Sequence, residues 1–255
     1  VAYGPRSRGA GRRAARARAL DELARVGLAA RADARPHELS SGQAARVALA
    51  RALATDPRLL LLDEPLAALD PDTRARIRSD LAARLTAYDG VAVLVTHDPL
   101  DALTLADRLV FLEDGRVTQS GSPAQVLREP RSAYAATVVG LNLYAAQAGS
   151  SGTLLLDDGA GPLATADTPT GPVWATIAPT AVSLHRQPPE GSPRNNWRLR
   201  ITDITLHGQS ARVGLAGRLR LTAEVTVVAV TALALRVGEE VWASVKATEV
   251  RTYPR

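Results

Sequence analysis

Apolar positions recur at helical spacing early in the chain. Leu20, Leu23, Val26 and Leu28 fall on one side of an arginine- and alanine-rich stretch. They predict an amphipathic helix over 12–28 with a solvated basic face. A second helix is expected from Ala44 to Leu53, where Val47, Leu49, Ala50 and Leu53 are apolar and Ser40 or Ser41 supplies the N-cap. Leu59 to Leu62 form a continuous apolar run, read as a buried strand that ends in Asp63-Glu64 and is stopped by Pro65. Pro71 opens a polar–apolar helix to about Thr86, and Tyr88-Asp89-Gly90 is a turn. A third apolar segment, 91–96, reads as a strand, and Pro99 to about Ala106 as a helix. Leu109–Leu112 and Arg116–Gln119 flank Glu113-Asp114-Gly115 as a hairpin. Short helices follow to Arg128 and over about 132–139.

The character of the chain changes near Gly140. Turn clusters recur at 149–152, 157–162, 168–172 and 188–193, with short β-rich runs between them. Val173–Ile177, Leu221–Thr226 and Val241–Thr248 are examples. This spacing predicts a small all-β barrel. The expected fold class is therefore α/β over residues 1–140, followed by an OB-like β-barrel domain over 141–255.

Composition narrows the function classes. The 255 residues suit two domains. With no cysteine, thiolate metal sites, disulfides and redox-cysteine chemistry are excluded. No 18-residue apolar run is present. The net charge is +5, but the arginines are interspersed with acids and aromatic residues make up only 4%. A base-stacking platform is missing, so nucleic acid is not an expected partner.

Three segments carry candidate chemistry. Asp63 and Glu64 sit where a strand delivers two carboxylates to the edge of a sheet, the place where α/β folds bind ligands. One carboxylate can hold Mg²⁺ through water and the other can orient an attacking water. Taken alone, the run is equally a strand capped by two solvated acids. Ser40-Ser41-Gly42-Gln43 opens a helix whose free N–H groups suit an anion, or is an ordinary cap. His97 ends the 91–96 strand and can reach a phosphate oxygen, or is a structural histidine.

In this order and spacing the segments resemble the ATP-binding-cassette ATPases. Leu39-Ser40-Ser41-Gly42-Gln43 is similar to the family's Leu-Ser-Gly-Gly-Gln signature, with Ser41 at its third position. Leu59–Glu64 is similar to the Walker B strand, Ala67-Ala68-Leu69-Asp70 to the D-loop, and His97 to the switch histidine. The resemblance implies a partial P-loop NTPase domain with ATP and Mg²⁺ as cofactors and a homodimer with composite sites. Asp63 would position Mg²⁺, Glu64 and His97 would be catalytic, and Ser40, Ser41, Gly42, Gln43 and Asp70 would bind nucleotide. It also implies integral-membrane permease partners and a cytoplasmic location at the inner face of the membrane. The chain has one lysine, Lys246, and no Gly-Lys-Ser/Thr. A Walker A loop needs that lysine. With no methionine and Val1 first, the sequence reads as N-terminally incomplete, and the 255 residues alone are expected to be inactive.

The tail, about 192–254, resembles the molybdate-binding "mop" type of oligobinding-fold domain found on molybdate-transporter ATPases. That resemblance implies oxyanion contacts from Ser192, Arg194, Thr226 and Lys246 to molybdate or tungstate. Lys246 is equally a structural strand lysine. The expected function is the ATPase subunit of a molybdate importer. The alternatives are a sulfate, iron or polyamine importer, or a non-catalytic oxyanion-binding module with a relic ATPase half.

Overall fold

The computed structural model describes residues 1–255, which divide into two compact units, Val1–Asp107 and Arg108–Arg255. The expected change of character near residue 141 falls inside the second unit. No helix is long and apolar enough to cross a membrane.

The first unit runs α1 (Tyr3–Ser7), α2 (Arg12–Arg25), α3 (Ser41–Leu53), β1 (Leu59–Asp63), α4 (Pro71–Thr86), β2 (Val91–Val95) and α5 (Pro99–Leu105). The sequence pattern extended α2 to Leu28, but the helix stops three residues earlier. Gly27 takes φ +70°, and Leu28 N–H donates to Leu23 O at 2.7 Å. This is a Schellman end, which needs a left-handed residue at that point. The turn folds Val26 and Leu28 into the core beside Leu23, whereas Leu20 is left exposed. A Glu22–Arg84 ion pair of 2.5 Å ties α2 to α4. β1 and β2 pair in parallel, Leu59 with Val91 through Asp63 with Val95. Leu60 and Leu62 are buried against the helices, but Leu59, Leu61, Val91, Val93 and Val95 are exposed. The fully buried strand expected from the leucine run is therefore buried on alternate positions only, because the sheet has two strands and β1 has one covered face.

The second unit opens with the hairpin β3 (Leu109–Glu113) and β4 (Arg116–Gly121), then α6 (Pro123–Arg128) and α7 (Ala133–Val139). Asp114 and Gly115 both have positive φ, as the tight turn requires. The rest is β5 (Asn142–Ala148), β6 (Thr153–Leu156), β7 (Pro162–Ala164), β8 (Pro172–Ile177), β9 (Ser183–His185), β10 (Asn195–His207), β11 (Ser210–Ala216), β12 (Leu221–Thr226), α8 (Val227–Ala232), β13 (Glu240–Val245) and β14 (Val250–Pro254). These strands form two curled five-stranded sheets, β12-β11-β10-β13-β9 and β14-β8-β5-β6-β7, around one shared apolar core. Strand β13 ends at Val245. The run expected to stay extended to Thr248 turns instead into a 3₁₀ segment, Ala247–Glu249, with Lys246 at its start.

The order of strands reveals a duplication. Val173-Trp174-Ala175-Thr176-Ile177 and Val241-Trp242-Ala243-Ser244-Val245 occupy β8 and β13, and each is followed by a 3₁₀ turn and a short strand. The closing strands are exchanged: β9 pairs with β13, and β14 pairs with β8. Two asparagines repeat the relationship. Asn142 Oδ1 accepts from Thr222 N at 2.7 Å, and Asn195 Oδ1 accepts from Ala164 N at 2.7 Å. Each buried amide thereby binds the backbone of the other half. Removing either would strand buried backbone groups at about 1–3 kcal/mol each.

Candidate functional site

Because β1 and β2 are parallel, their carboxyl ends lie at one sheet edge. Glu64 N–H continues the ladder by donating to Val95 O at 2.9 Å. Glu64 then turns out of the strand with φ +46°. That left-handed conformation is uncommon for a side chain of this type and concentrates at functional sites. The turn aims the carboxylate across to the end of β2, where His97 Nδ1 lies 2.7 Å from Glu64 Oε1. A carboxylate only accepts, so Nδ1 carries the proton and Nε2 remains free for another contact. The His97 side chain is 74% exposed and Glu64 35%. Asp63 is exposed at the same edge.

Asp98 builds the turn beneath His97. Its Oδ1 accepts from Leu100 N and Asp101 N at 2.8 and 3.1 Å, capping α5, and its own N–H donates to Thr96 Oγ1 at 3.0 Å. Its Oδ2 accepts from Arg74 Nη1 at 3.1 Å. Burial pushes the Asp98 carboxyl up, but the amide bonds from Asp101 and Leu100, with Arg78 and Arg74, hold it net below its ordinary value. A lowered folded value stabilises fully above the unfolded one near 3.8, and the effect is lost as pH falls through the folded value. Asp98→Asn is therefore expected to cost about 1 kcal/mol at neutral pH, the net scale of a hydrogen bond at a half-buried group. The difference should vanish in acid, and thermal unfolding across pH checks it. A difference that stays constant as the pH falls well below the unfolded value would contradict this linkage.

The helix-opening segment is built as expected. Ser40 caps α3, with Gln43 N–H donating to Ser40 Oγ at 3.3 Å and Ser40 N–H to Gln43 Oε1 at 3.1 Å. The two side chains satisfy each other, and no hydrogen bond joins them to Glu64 or His97. Gly42 lies against the loop that follows Glu64, where an added Cβ would sit 3.0 Å from Ala68 O. Asp70 caps α4 through Thr73 N at 3.0 Å, and that bond lowers its carboxyl from the ordinary value.

The tail carries a cleft of about 290 Å³ lined by Thr180, Ser183, Pro193, Ser244, Lys246 and Glu249. Lys246 is placed there by the turn after β13. Ser192 and Arg194 are exposed on either side of Pro193. Thr226 does not line the cleft, and its hydroxyl accepts from Ala229 N at 3.1 Å as the cap of α8. Thr180, Ser183 and Ser244 were missed in the sequence. Ser244 is buried, and its Oγ lies 2.9 Å from His185 Nε2. The signal that would have found these hydroxyls is the duplication, which brings residues of one half against the closing strand of the other.

Comparison with known proteins agrees with this assembly. The ABC transporter family profile matches residues 5–67 and the TOBE domain profile residues 191–252. The molybdenum import ATP-binding protein of Mycobacterium tuberculosis is 43% identical over 265 residues, covering 100% of this chain and 72% of that protein. The Fe(3+) ions import ATP-binding protein of Rhizobium etli is 44% identical over 140 residues, covering 55% of this chain and 40% of its own length. The spermidine/putrescine import ATP-binding protein of Frankia alni is 38% identical over 225 residues, covering 82% of this chain and 48% of its own. A paired Glu64 and His97 at a parallel sheet edge, a capped helix start against the next loop, and a 43% identical relative matched along the whole of this chain lead to one conclusion: the chain belongs to the ABC transporter ATPase family, among its import ATP-binding proteins.

Proposed function

We propose that this protein couples ATP hydrolysis to import of molybdate or a closely similar tetrahedral oxyanion. The observation that carries the substrate class is the extent of similarity. The molybdenum relative aligns over 100% of the chain, against 82% for the polyamine relative and 55% for the iron relative. The cleft at Lys246 supports the same reading, since a compact ammonium beside the Thr180 and Ser183 hydroxyls suits a small dianion, with the Glu249 carboxylate also on the lining.

In hydrolysis, Glu64 orients the attacking water and accepts its proton. His97 holds Glu64 through Nδ1–H and turns Nε2 to a terminal phosphate oxygen. Ser40, Ser41, Gly42 and Gln43 close over the nucleotide of a second subunit, and Asp70 borders the same interface. Asp63 is a single exposed carboxylate, and no cluster of three acids or histidines surrounds it. That donor set fits Mg²⁺ held mainly by phosphate and water oxygens, with Asp63 as its protein partner. Bound there, the metal would neutralise phosphate charge. The subunit works as a dimer at the inner face of the membrane, against permease partners.

Titration calorimetry of the chain with molybdate, tungstate and sulfate tests the cargo assignment. Molybdate and tungstate are expected to bind alike and more tightly than sulfate, because they share charge and near-equal size. Tighter sulfate binding, or no binding of any of the three, would sink it.

A further inference from the structure

One arginine spans the two loops that carry the reacting pair. Arg74, in the first turn of α4, is half-buried: its side chain is 28% accessible and its Nε is shielded from solvent. Nη1 donates to Asp98 Oδ2 at 3.1 Å. Nη2 donates to Ala67 O at 3.0 Å and to Leu69 O at 3.5 Å. The guanidinium therefore grips the 64–70 loop on both sides of Ala68 and holds the turn that presents His97 with its other nitrogen. Ala68 O is the atom against which Gly42 packs. A fork with fixed geometry can make these contacts together, which a single ammonium cannot.

We propose that Arg74 is a positioning residue that locks the 64–70 and 96–101 turns together, keeping Glu64 and His97 face to face and fixing the surface on which the signature helix starts. The inference rests on the ATPase reading of Glu64 and His97. Its geometry has two consequences. Glu64 and His97 depend on Arg74 although neither touches it. The start of α3, which serves a second subunit's nucleotide, is tied to the pair that serves its own.

Two measurements test it. Hydrogen exchange on the 255-residue chain needs no ATPase activity. Arg74→Gln is expected to raise exchange in both 64–70 and 96–101 while leaving α2 and β1 protected. A rise in only one turn, or an equal rise throughout the unit, overturns the proposal. The second measurement is steady-state ATPase activity of the importer reconstituted with a subunit that also carries the phosphate-binding loop. Arg74→Gln is expected to lower kcat about tenfold, the scale of such indirect couplings, with KM changed less than about twofold, as when a transition-state interaction alone is lost. Combined with Asp98→Asn it should be no worse than the more impaired single variant. A kcat near wild type with an unchanged exchange pattern, or additive losses, overturns the proposal. Should Arg74→Gln not fold, Arg74→Lys keeps the charge but cannot span both loops. It is expected to show the same fall in kcat, and full activity in it is the contrary result. A changed exchange pattern with unchanged kcat would place the failure in the ATPase reading, which Glu64→Gln checks independently.

Discussion

Glu64→Gln is expected to lower kcat for ATP hydrolysis by about 10²- to 10⁴-fold, the range over which a positioned acid–base group contributes. Gln keeps the shape of Glu and an oxygen that can still accept from His97 Nδ1–H. The 2.7 Å contact across the sheet edge and the turn at φ +46° should therefore survive. What disappears is the carboxylate that takes the proton of the attacking water. Nucleotide affinity should stay within about threefold, because Glu64 acts on water and not on the phosphates. Steady-state ATPase rates of the importer reconstituted with a subunit that also carries the phosphate-binding loop, with nucleotide binding measured alongside, provide the check. A variant hydrolysing at even a third of the wild-type rate would remove Glu64 from the catalytic role.

Lys246→Ala is expected to weaken molybdate binding by about 10- to 100-fold, since a hydrogen bond to a charged partner contributes about 1.5–3 kcal/mol and each 1.4 kcal/mol is a factor of ten. Folding should be nearly untouched, because the side chain is exposed. The single lysine of the chain sits where β13 gives way to a turn, so its ammonium is offered to the cleft and not to the ladder. Calorimetry of the variant alongside the parent chain settles the matter. Unaltered affinity would make Lys246 an ordinary surface cation and move the contact elsewhere.

Much of the first unit was legible in sequence because its signals are local. Pro71 and the following pattern placed α4 close to its observed bounds, and the serine pair at 40–41 announced the cap of α3, which Ser40 supplies. Asp63, Glu64 and His97 were placed at one edge by their positions at strand ends. The pairing of Glu64 with His97 was not legible, since it depends on a left-handed turn that glutamate does not advertise. The role of Arg74 was hidden for a related reason: it reads as one of many solvated arginines until two loops close around it. In the tail, the strands were visible one by one. Their exchange was not, because hydrophobic alternation says which residues face a core but not which strand lies alongside. The repeated Val-Trp-Ala at 173–175 and 241–243 was in view throughout, and aligning the two copies would have given the partner of each closing strand.

That exchange has a consequence for how the tail is made. β8 emerges from the ribosome well before its neighbour β14, and Ile177 must wait for Val250, about 70 residues downstream. Until residues 250–254 exist, the first sheet keeps an open edge, and open edges recruit other chains. Distant pairings of this kind also slow folding, because a long loop must be closed before any contact rewards it. Synthesis halted anywhere between β9 and β14 would leave a half-built handshake with an adhesive rim. A second nascent copy, able to lend the missing strand, is the neighbour best shaped to take it.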